Sequence, residues 1–193
     1  IIESNPIHYI SASLKDNNLK FYRFTTKNGK SNFYDQDGKS SKKTLMKTPL
    51  NGARLSSGFG NRKHPILGFT KMHRGIDFAA PIGTPIFAAG DGVIEYSGWN
   101  GAYGKYIRIK HNGTFKTAYA HLSKIYKKRG TRIKQGDIIG TLGNTGRSTG
   151  PHLHYEIIIS GRQVNPLRIK LPSGKNIPKN ELENFYKKQE VIN

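Results

Sequence analysis

The sequence predicts a mainly β protein, and three observations support that prediction. Glycine occurs 22 times in the 193 residues, and dipeptides typical of tight turns recur, as at Asn28-Gly29 and Asp91-Gly92. The runs between such turns are short and rich in aromatic and β-branched residues, as in 19–26. Residues 106–110 alternate apolar and basic side chains, which is typical of a strand with one buried face.

Composition divides the chain into three segments. Residues 1–48 predict a small N-terminal β unit that ends in a lysine-rich linker. Residues 49–170 contain the histidine motifs described below and predict the main domain. Residues 171–193 predict a C-terminal extension with a short helix, because Leu182 is followed by further apolar residues three and four positions later.

Charge narrows the class of partner. Lysine and arginine number 32 against 12 acidic residues, which gives a formal net charge of +20. Such a balance indicates an anionic partner: a nucleic acid, an anionic membrane surface or a bacterial wall polymer. Nucleic acid ranks last, because the chain contains no helix-turn-helix pattern and no aromatic RNA-binding signature.

Two absences limit the chemistry and the location. The chain contains no cysteine, so a zinc site must use histidine and carboxylate ligands. No apolar run approaches the roughly 20 residues that span a bilayer, and no signal peptide is visible. The chain begins at Ile1 without methionine, so we expect it to be part of a longer protein that has room upstream for a signal sequence or a membrane anchor.

The stretch Gly150–Glu156 is the focus of the functional interpretation. It opens a run of strand-forming residues, and side chains two apart on a strand point to the same face. His152 and His154 can therefore approach one metal ion or one reacting group. Taken alone, a His-x-His pair is a weak signal and favours a structural role over a metal site.

Two further motifs supply similar residues. His73 and Asp77 share a face of an extended segment, and Gly75 leaves space between their side chains. His121 lies at the end of a predicted strand and shares a face with Tyr119. Each motif alone has an ordinary alternative, namely a surface histidine, a turn-capping aspartate or a histidine at a strand end.

Together these residues match the needs of a hydrolytic zinc site. Such a site has three protein ligands and an open position for water. The set offers three ligands with imidazoles left over for proton transfer. Basic and polar residues in neighbouring loops are candidates for substrate binding, with a solvated surface role as the alternative: Asn61, Arg62, His64, Arg74 and Arg147.

The spacing of these motifs resembles the M23 family of zinc metallopeptidases, the lysostaphin or LytM type. The resemblance covers about residues 52–168, with the motifs in the family's order. They are His73-x-x-x-Asp77, Gly75-x-Asp77-x-Ala79-Ala80-Pro81-x-Gly83-Thr84-Pro85, Ala120-His121-Leu122, Gly143-x-Thr145-Gly146-x-Ser148-Thr149-Gly150-Pro151 and His152-Leu153-His154.

The resemblance implies a role for each residue. His73, Asp77 and His154 would bind one zinc ion, and His121 and His152 would be the catalytic pair. The implied fold is a compact antiparallel β core with the site in a groove. Because all five positions are filled, an active enzyme is expected rather than a regulator that has lost its ligands.

The leading segment, from Phe33–Ser40 through Thr48-Pro49-Leu50, resembles that of Gram-negative murein endopeptidases. This implies an exported D,D-endopeptidase of the periplasm or cell envelope that cleaves D-Ala–meso-diaminopimelate cross-links in peptidoglycan. Trimming of pentapeptide stems as a D,D-carboxypeptidase is a further expected activity. The alternative is a non-catalytic module that binds the wall and activates other hydrolases.

Overall fold

The computed structural model describes residues 6–14, 17–63 and 70–192. The chain forms two compact units, one of residues 45–170 and one that joins 1–44 to 171–193. Sequence reasoning treated the two ends as separate segments, whereas the contacts of the fold group them together. Of the helices in the described ranges, none has the length and apolar character needed to cross a membrane.

In the residues that the structure describes, the unit made from the chain ends is a three-stranded antiparallel sheet with one α-helix. Its strands are β1 (Tyr9–Leu14), β2 (Asn17–Thr25) and β3 (Ser31–Tyr34), in the order β1-β2-β3. The helix α1 spans Leu182–Ile192. Phe185 on this helix is fully buried and makes edge contacts with the rings of Tyr22, Phe24 and Tyr34. The predicted short C-terminal helix therefore packs on the N-terminal sheet.

Residues 45–170 form a mainly antiparallel β structure, which confirms the predicted fold class. Its strands in the described residues are β4 (Arg54–Ser57), β5 (Gly60–Lys63), β6 (Thr70–His73), β7 (Ile76–Ala79), β8 (Pro85–Phe87), β9 (Gly92–Trp99), β10 (Lys105–Lys110), β11 (Phe115–Ile125), β12 (Arg132–Ile133), β13 (Ile138–Leu142), β14 (His152–Ile159) and β15 (Arg162–Val164). Ten of these strands belong to one sheet, whose main path runs β12-β9-β10-β11-β14-β7-β4, while β5 and β6 pair separately.

Strand β14 lies inside the sheet, between β11 and β7, and separates core from site. Its Leu153, Tyr155 and Ile157 are fully buried on one face. His152, His154 and Glu156 alternate with them and project from the other face. The two faces therefore serve different ends: one supplies the hydrophobic core and the other carries the polar side chains of the site.

Pairing across three strands aligns two of the candidate residues. His154 on β14 is the register partner of Asp77 on β7 and of Ala120 on β11. Residues that are paired directly across a sheet share a face and stand close together. The register therefore places the Asp77 carboxylate beside the His154 ring, and the small Ala120 leaves room on the other side.

Candidate metal centre

Three buried side chains converge on one point above the sheet. The Nε2 atom of His73 lies 2.9 Å from Nδ1 of His154 and 3.1 Å from Oδ1 of Asp77. The same Oδ1 lies 2.9 Å from Nδ1 of His154. The three residues are at most 9% exposed. These ligand atoms form a nearly regular triangle, the arrangement required of three protein ligands to a single ion.

The outer partners of the two rings establish which nitrogen faces the triangle. Nδ1 of His73 donates its hydrogen to the carbonyl of Gly58 at 2.7 Å, so Nε2 holds the lone pair. Nε2 of His154 donates to Oε1 of Glu156 at 3.0 Å, so Nδ1 holds the lone pair. When both rings are neutral, two lone pairs and a carboxylate oxygen face one another with no hydrogen between them. A cation satisfies all three.

Electrostatics support the same interpretation. Burial disfavours the charged form of His154, but the hydrogen bonds and charges of Asp77 and Glu156 outweigh it and raise the pKa of that ring to about 9. Burial by itself would raise the pKa of Asp77, yet hydrogen bonds that His154 and His73 donate to its carboxylate in their protonated forms hold that pKa well below its usual range. The pocket therefore favours positive charge at the centre of the triangle.

The donor set fits zinc. Zinc binds histidine nitrogen and carboxylate oxygen at about 2.0–2.2 Å, and a triangle with edges near 3 Å has a point at that distance from every corner. Two nitrogens and one oxygen leave a fourth tetrahedral position, as in catalytic rather than structural zinc sites. Both rings already have an outer hydrogen-bond partner that fixes their orientation.

Gly75 makes room for this arrangement. A Cβ atom at this position would lie 2.5 Å from the carbonyl oxygen of Tyr155 and 2.7 Å from Cε1 of His154. The sequence predicted that Gly75 opens space between His73 and Asp77. In the structure, His73 ends β6 and Asp77 belongs to β7, and the ring of His154 occupies the space beside the glycine.

His121 and His152 form a second pair beside the triangle. Their ring centroids are 4.6 Å apart. Nδ1 of His121 donates to the carbonyl of Thr145 at 2.8 Å, and Nδ1 of His152 donates to the carbonyl of Gly150 at 2.8 Å. Each ring therefore keeps Nε2 for other partners, and Nε2 of His152 lies 3.8 Å from Oδ1 of Asp77.

Two properties of His121 suit a proton acceptor. Burial lowers its pKa to about 4, so the ring is neutral at pH 7 and can accept a proton. Its backbone φ is 62°, in the left-handed region that non-glycine residues rarely adopt. Strain of this kind persists where the surrounding structure imposes it, and it clusters at functional sites.

An open cavity of about 740 Å³ gives access to both groups of residues. Two of the predicted substrate-binding residues, Arg74 and Arg147, line it and are exposed. Asn61 is exposed on β5 but is not among the lining residues. Arg62 belongs to the same strand, and His64 lies outside the described residues.

Sequence reasoning missed two residues of the centre. Glu156 is 2% exposed and accepts hydrogen bonds from His154 and from the Tyr103 hydroxyl, the latter at 3.0 Å. The signal for Glu156 was present, because it continues the alternation of His152 and His154 on one face of the strand. Tyr103 lies on a 3-10 turn, Gly101–Tyr103, and has no signal in the local sequence.

Fold and site together define a β-sheet protein with a His-Asp-His centre of the kind that binds a metal ion. Comparison with known proteins gives the family. The profile of peptidase family M23 matches residues 71–166. The catalytic domain of lysostaphin from Staphylococcus simulans is 37% identical, with a TM-score of 0.56 over 61% of this chain and 92% of that domain. The chain therefore belongs to peptidase family M23, which confirms the predicted resemblance.

Two proteins of Vibrio cholerae are also similar. The peptidoglycan DD-endopeptidase ShyC is 48% identical over 155 residues, which are 80% of this chain and 36% of that protein. A crystal structure described as a zinc-containing peptidase is 37% identical, with a TM-score of 0.64 over 86% of this chain and 51% of that one. The chain thus spans about a third of the length of ShyC.

Proposed function

We propose that this chain is the catalytic part of a zinc-dependent peptidoglycan hydrolase. Its expected reaction is D,D-endopeptidase cleavage of D-Ala–meso-diaminopimelate cross-links, with D,D-carboxypeptidase trimming of stem peptides in the same groove. The observation that carries the proposal is the buried triangle of His73, Asp77 and His154 beside the pair His121 and His152. The name of the relative ShyC, a peptidoglycan DD-endopeptidase, supports the choice of substrate.

In this proposal, His73, Asp77 and His154 hold one zinc ion through Nε2, Oδ1 and Nδ1. When bound, such an ion polarises a carbonyl and lowers the pKa of a bound water to about 7. The chain contributes the orientation of its donor atoms. Gly58 fixes the tautomer of His73 through its carbonyl, and burial of the ligand side chains keeps competing water away.

His121 and His152 are the proposed catalytic pair. Nε2 of the neutral His121 accepts the proton of the attacking water as its oxygen bonds to the scissile carbonyl carbon. In the proposed reactive form His152 carries a hydrogen on both ring nitrogens and donates a hydrogen bond from Nε2 to the oxyanion that develops on the former carbonyl oxygen, keeping that proton throughout. When the C–N bond breaks, the proton held by His121 passes to the leaving amine nitrogen, which restores the neutral His121 ring.

Arg74 and Arg147 are proposed to bind carboxylates of the substrate. Both are exposed in a cavity where Asp77 supplies the one carboxylate among the described lining residues. Guanidinium groups pair with carboxylates through two parallel hydrogen bonds. Stem peptides carry such carboxylates, and Asn61, Arg62 and His64 are retained as proposed contacts at the rim.

Peptidoglycan is therefore the proposed partner, and the periplasm or cell envelope of a Gram-negative bacterium is the proposed location. The formal net charge of +20 supports an anionic polymer as partner. An exported wall hydrolase needs a route across the inner membrane, so a signal sequence or an anchor upstream of Ile1 belongs to the same proposal.

Muropeptide profiling tests the activity directly. Purified sacculi are incubated with the chain, and soluble products are separated and identified by mass. We expect dimeric muropeptides to be converted to monomers, with loss of that activity on chelation and recovery on addition of zinc. Elemental analysis is expected to give one zinc per chain.

A variant with an intact metal site separates catalysis from binding. His121→Ala leaves the three proposed ligands in place, so zinc content is expected to stay the same while product release falls by at least about 100-fold. Equal release by His121→Ala and the wild-type chain would contradict the proposal. Sacculus binding without any cleavage by the wild-type chain would favour the non-catalytic alternative.

A further inference from the structure

Glu156 is a buried carboxylate that the proposed reaction leaves without a role. It is 2% exposed and is not among the residues that line the cavity, so it does not meet substrate. Removing a carboxylate from water is costly unless hydrogen bonds compensate. Oε1 of Glu156 accepts from Nε2 of His154 and from the Tyr103 hydroxyl, both at 3.0 Å, and Oε2 accepts from Nε2 of Gln163 at 3.3 Å.

The contact with His154 decides which ring nitrogen reaches the triangle. An imidazole that is protonated at one nitrogen offers a lone pair at the other. Because Glu156 accepts the hydrogen of Nε2, Nδ1 is left to face His73 and Asp77 at 2.9 Å each. A carboxylate behind a metal-binding histidine also makes the ring a stronger base and fixes its plane.

Tyr103 links this carboxylate to the wall of the cavity. Its ring lines the cavity and lies with its centroid 5.6 Å from that of His154. Its hydroxyl donates to the same Oε1 that accepts from the histidine. Tyr103 therefore holds the oxygen of Glu156 in the position from which it orients the ring.

The backbone around Tyr103 is fixed on its other side as well. Gly104 has φ +63°, and a Cβ atom there would collide with the backbone of Thr145. The amide of Lys105 donates to Oγ1 of Thr145 at 3.0 Å, and the amide of Arg147 donates to the carbonyl of Ala102 at 2.8 Å. The turn that carries Tyr103 is thus anchored to the loop whose Thr145 carbonyl orients His121.

We propose that Glu156 and Tyr103 are positioning residues that set the zinc affinity of the centre by holding His154 in its Nδ1-binding orientation. The inference rests on the proposed zinc site. It also implies that the turn Gly101–Tyr103, whose Tyr103 lines the cavity, helps to hold the metal centre in place.

Zinc affinity measured by competition with a chromophoric chelator tests this inference. In Glu156→Gln the side-chain shape is kept but the charge is lost, and we expect zinc to bind about 10- to 100-fold more weakly. In Tyr103→Phe one hydrogen bond to Oε1 is lost, and we expect binding about 2- to 10-fold weaker. Tyr96→Phe is the matched control, because Tyr96 packs against the same hydrophobic cluster as Tyr103 and its hydroxyl donates to the carbonyl of Trp99 at 2.6 Å instead of to Glu156.

Three outcomes are distinguishable. A wild-type chain that binds no zinc defeats the proposed function itself. Wild-type affinity in both Glu156→Gln and Tyr103→Phe, with circular dichroism and melting temperature unchanged, overturns the positioning inference and leaves the zinc site standing. If Glu156→Gln does not fold, Tyr103→Phe decides, and an affinity equal to that of Tyr96→Phe counts against the inference.

Discussion

A single methyl group at Gly75 provides a direct test of the geometry of the centre. Gly75 lies between the proposed ligands His73 and Asp77, and its φ lies outside the left-handed region. An alanine at this position is therefore allowed by the backbone. The only obstacle to Gly75→Ala is space, because the new Cβ would lie 2.5 Å from the carbonyl oxygen of Tyr155 and 2.7 Å from Cε1 of His154.

The size of the effect of Gly75→Ala depends on which neighbouring atoms can move away from the new methyl group. Tyr155 is fully buried and paired with Ile76 across β14 and β7, so its carbonyl is held by the sheet. The ring of His154 or the segment between β6 and β7 must then shift by several tenths of an ångström. Overpacking of this kind costs about 1–3 kcal/mol of folding free energy. A functional site tolerates displacements of only about 0.5 Å, so we expect product release to fall about 100-fold.

The assay measures muropeptide release and zinc affinity on the same preparation. The matched control is Gly113→Ala, because Gly113 has ordinary φ and no atom lies within 4 Å of the position that its new methyl group would take. We expect Gly113→Ala to keep activity and zinc affinity. Full activity and unchanged zinc affinity in Gly75→Ala would refute the close packing on which the geometry of the centre depends.

Three further predictions concern substrate binding, pH and the terminal unit. Arg74→Gln and Arg147→Gln are each expected to raise KM for cross-linked muropeptides about 10-fold with little change in kcat, because a charge-assisted hydrogen bond is lost. Burial lowers the pKa of His111 in the folded chain. Below about pH 6.5 the unfolded chain therefore binds more protons than the folded chain, so the free energy of unfolding falls as the pH is lowered. His111→Gln should weaken this pH dependence of stability. Phe185→Ala, which empties a fully buried position, should destabilise the terminal unit by about 3–5 kcal/mol, whereas Tyr186→Ala on the exposed side of the helix should cost far less.

Each of these has its own readout and control. Arg132→Gln replaces an exposed arginine that is not among the cavity-lining residues, and an equal rise in KM there would point to a general charge effect. The chain has one tryptophan, Trp99, so its fluorescence during urea unfolding at pH 7.5 and pH 5 reports on the unit of residues 45–170. If the free energy of unfolding of His111→Gln depends on pH as that of the wild-type chain does, His111 is not the source of that dependence. Amide hydrogen exchange of β2 reports on the stability of the unit formed by residues 1–44 and 171–193. Unchanged protection of β2 in Phe185→Ala would contradict the stabilising role of Phe185 in that unit.

Local patterns determined the fold class and the candidate residues. Side-chain alternation along a strand has a period of two whatever the strand pairs with, so His152 and His154 could be assigned to one face from the sequence. The same rule would have included Glu156. The histidines were also identifiable because an M23-type order of motifs is a property of the chain alone.

Tertiary structure decided how these residues meet. The register of β14 against β7 places Asp77 beside His154, and no local pattern encodes a pairing between segments 77 residues apart in sequence. Which ring nitrogen of each histidine faces the triangle is decided by its outer hydrogen bond. For His73 the partner is Gly58, which lies outside the motif of that histidine. For His154 the partner is Glu156, on the same strand. The left-handed conformation of His121 is likewise imposed by its surroundings.

The unit formed by the two chain ends shows the same difference between what local sequence predicts and what tertiary contacts decide. Apolar spacing predicted the helix that carries Phe185, because helical periodicity is written in consecutive residues. Its partners, Tyr22, Phe24 and Tyr34, come from the opposite end of the chain. Sequence alone thus determined which elements form and which chemical groups they carry. Only the folded chain decided which of those groups touch, because contacts between distant segments depend on the packing of the whole.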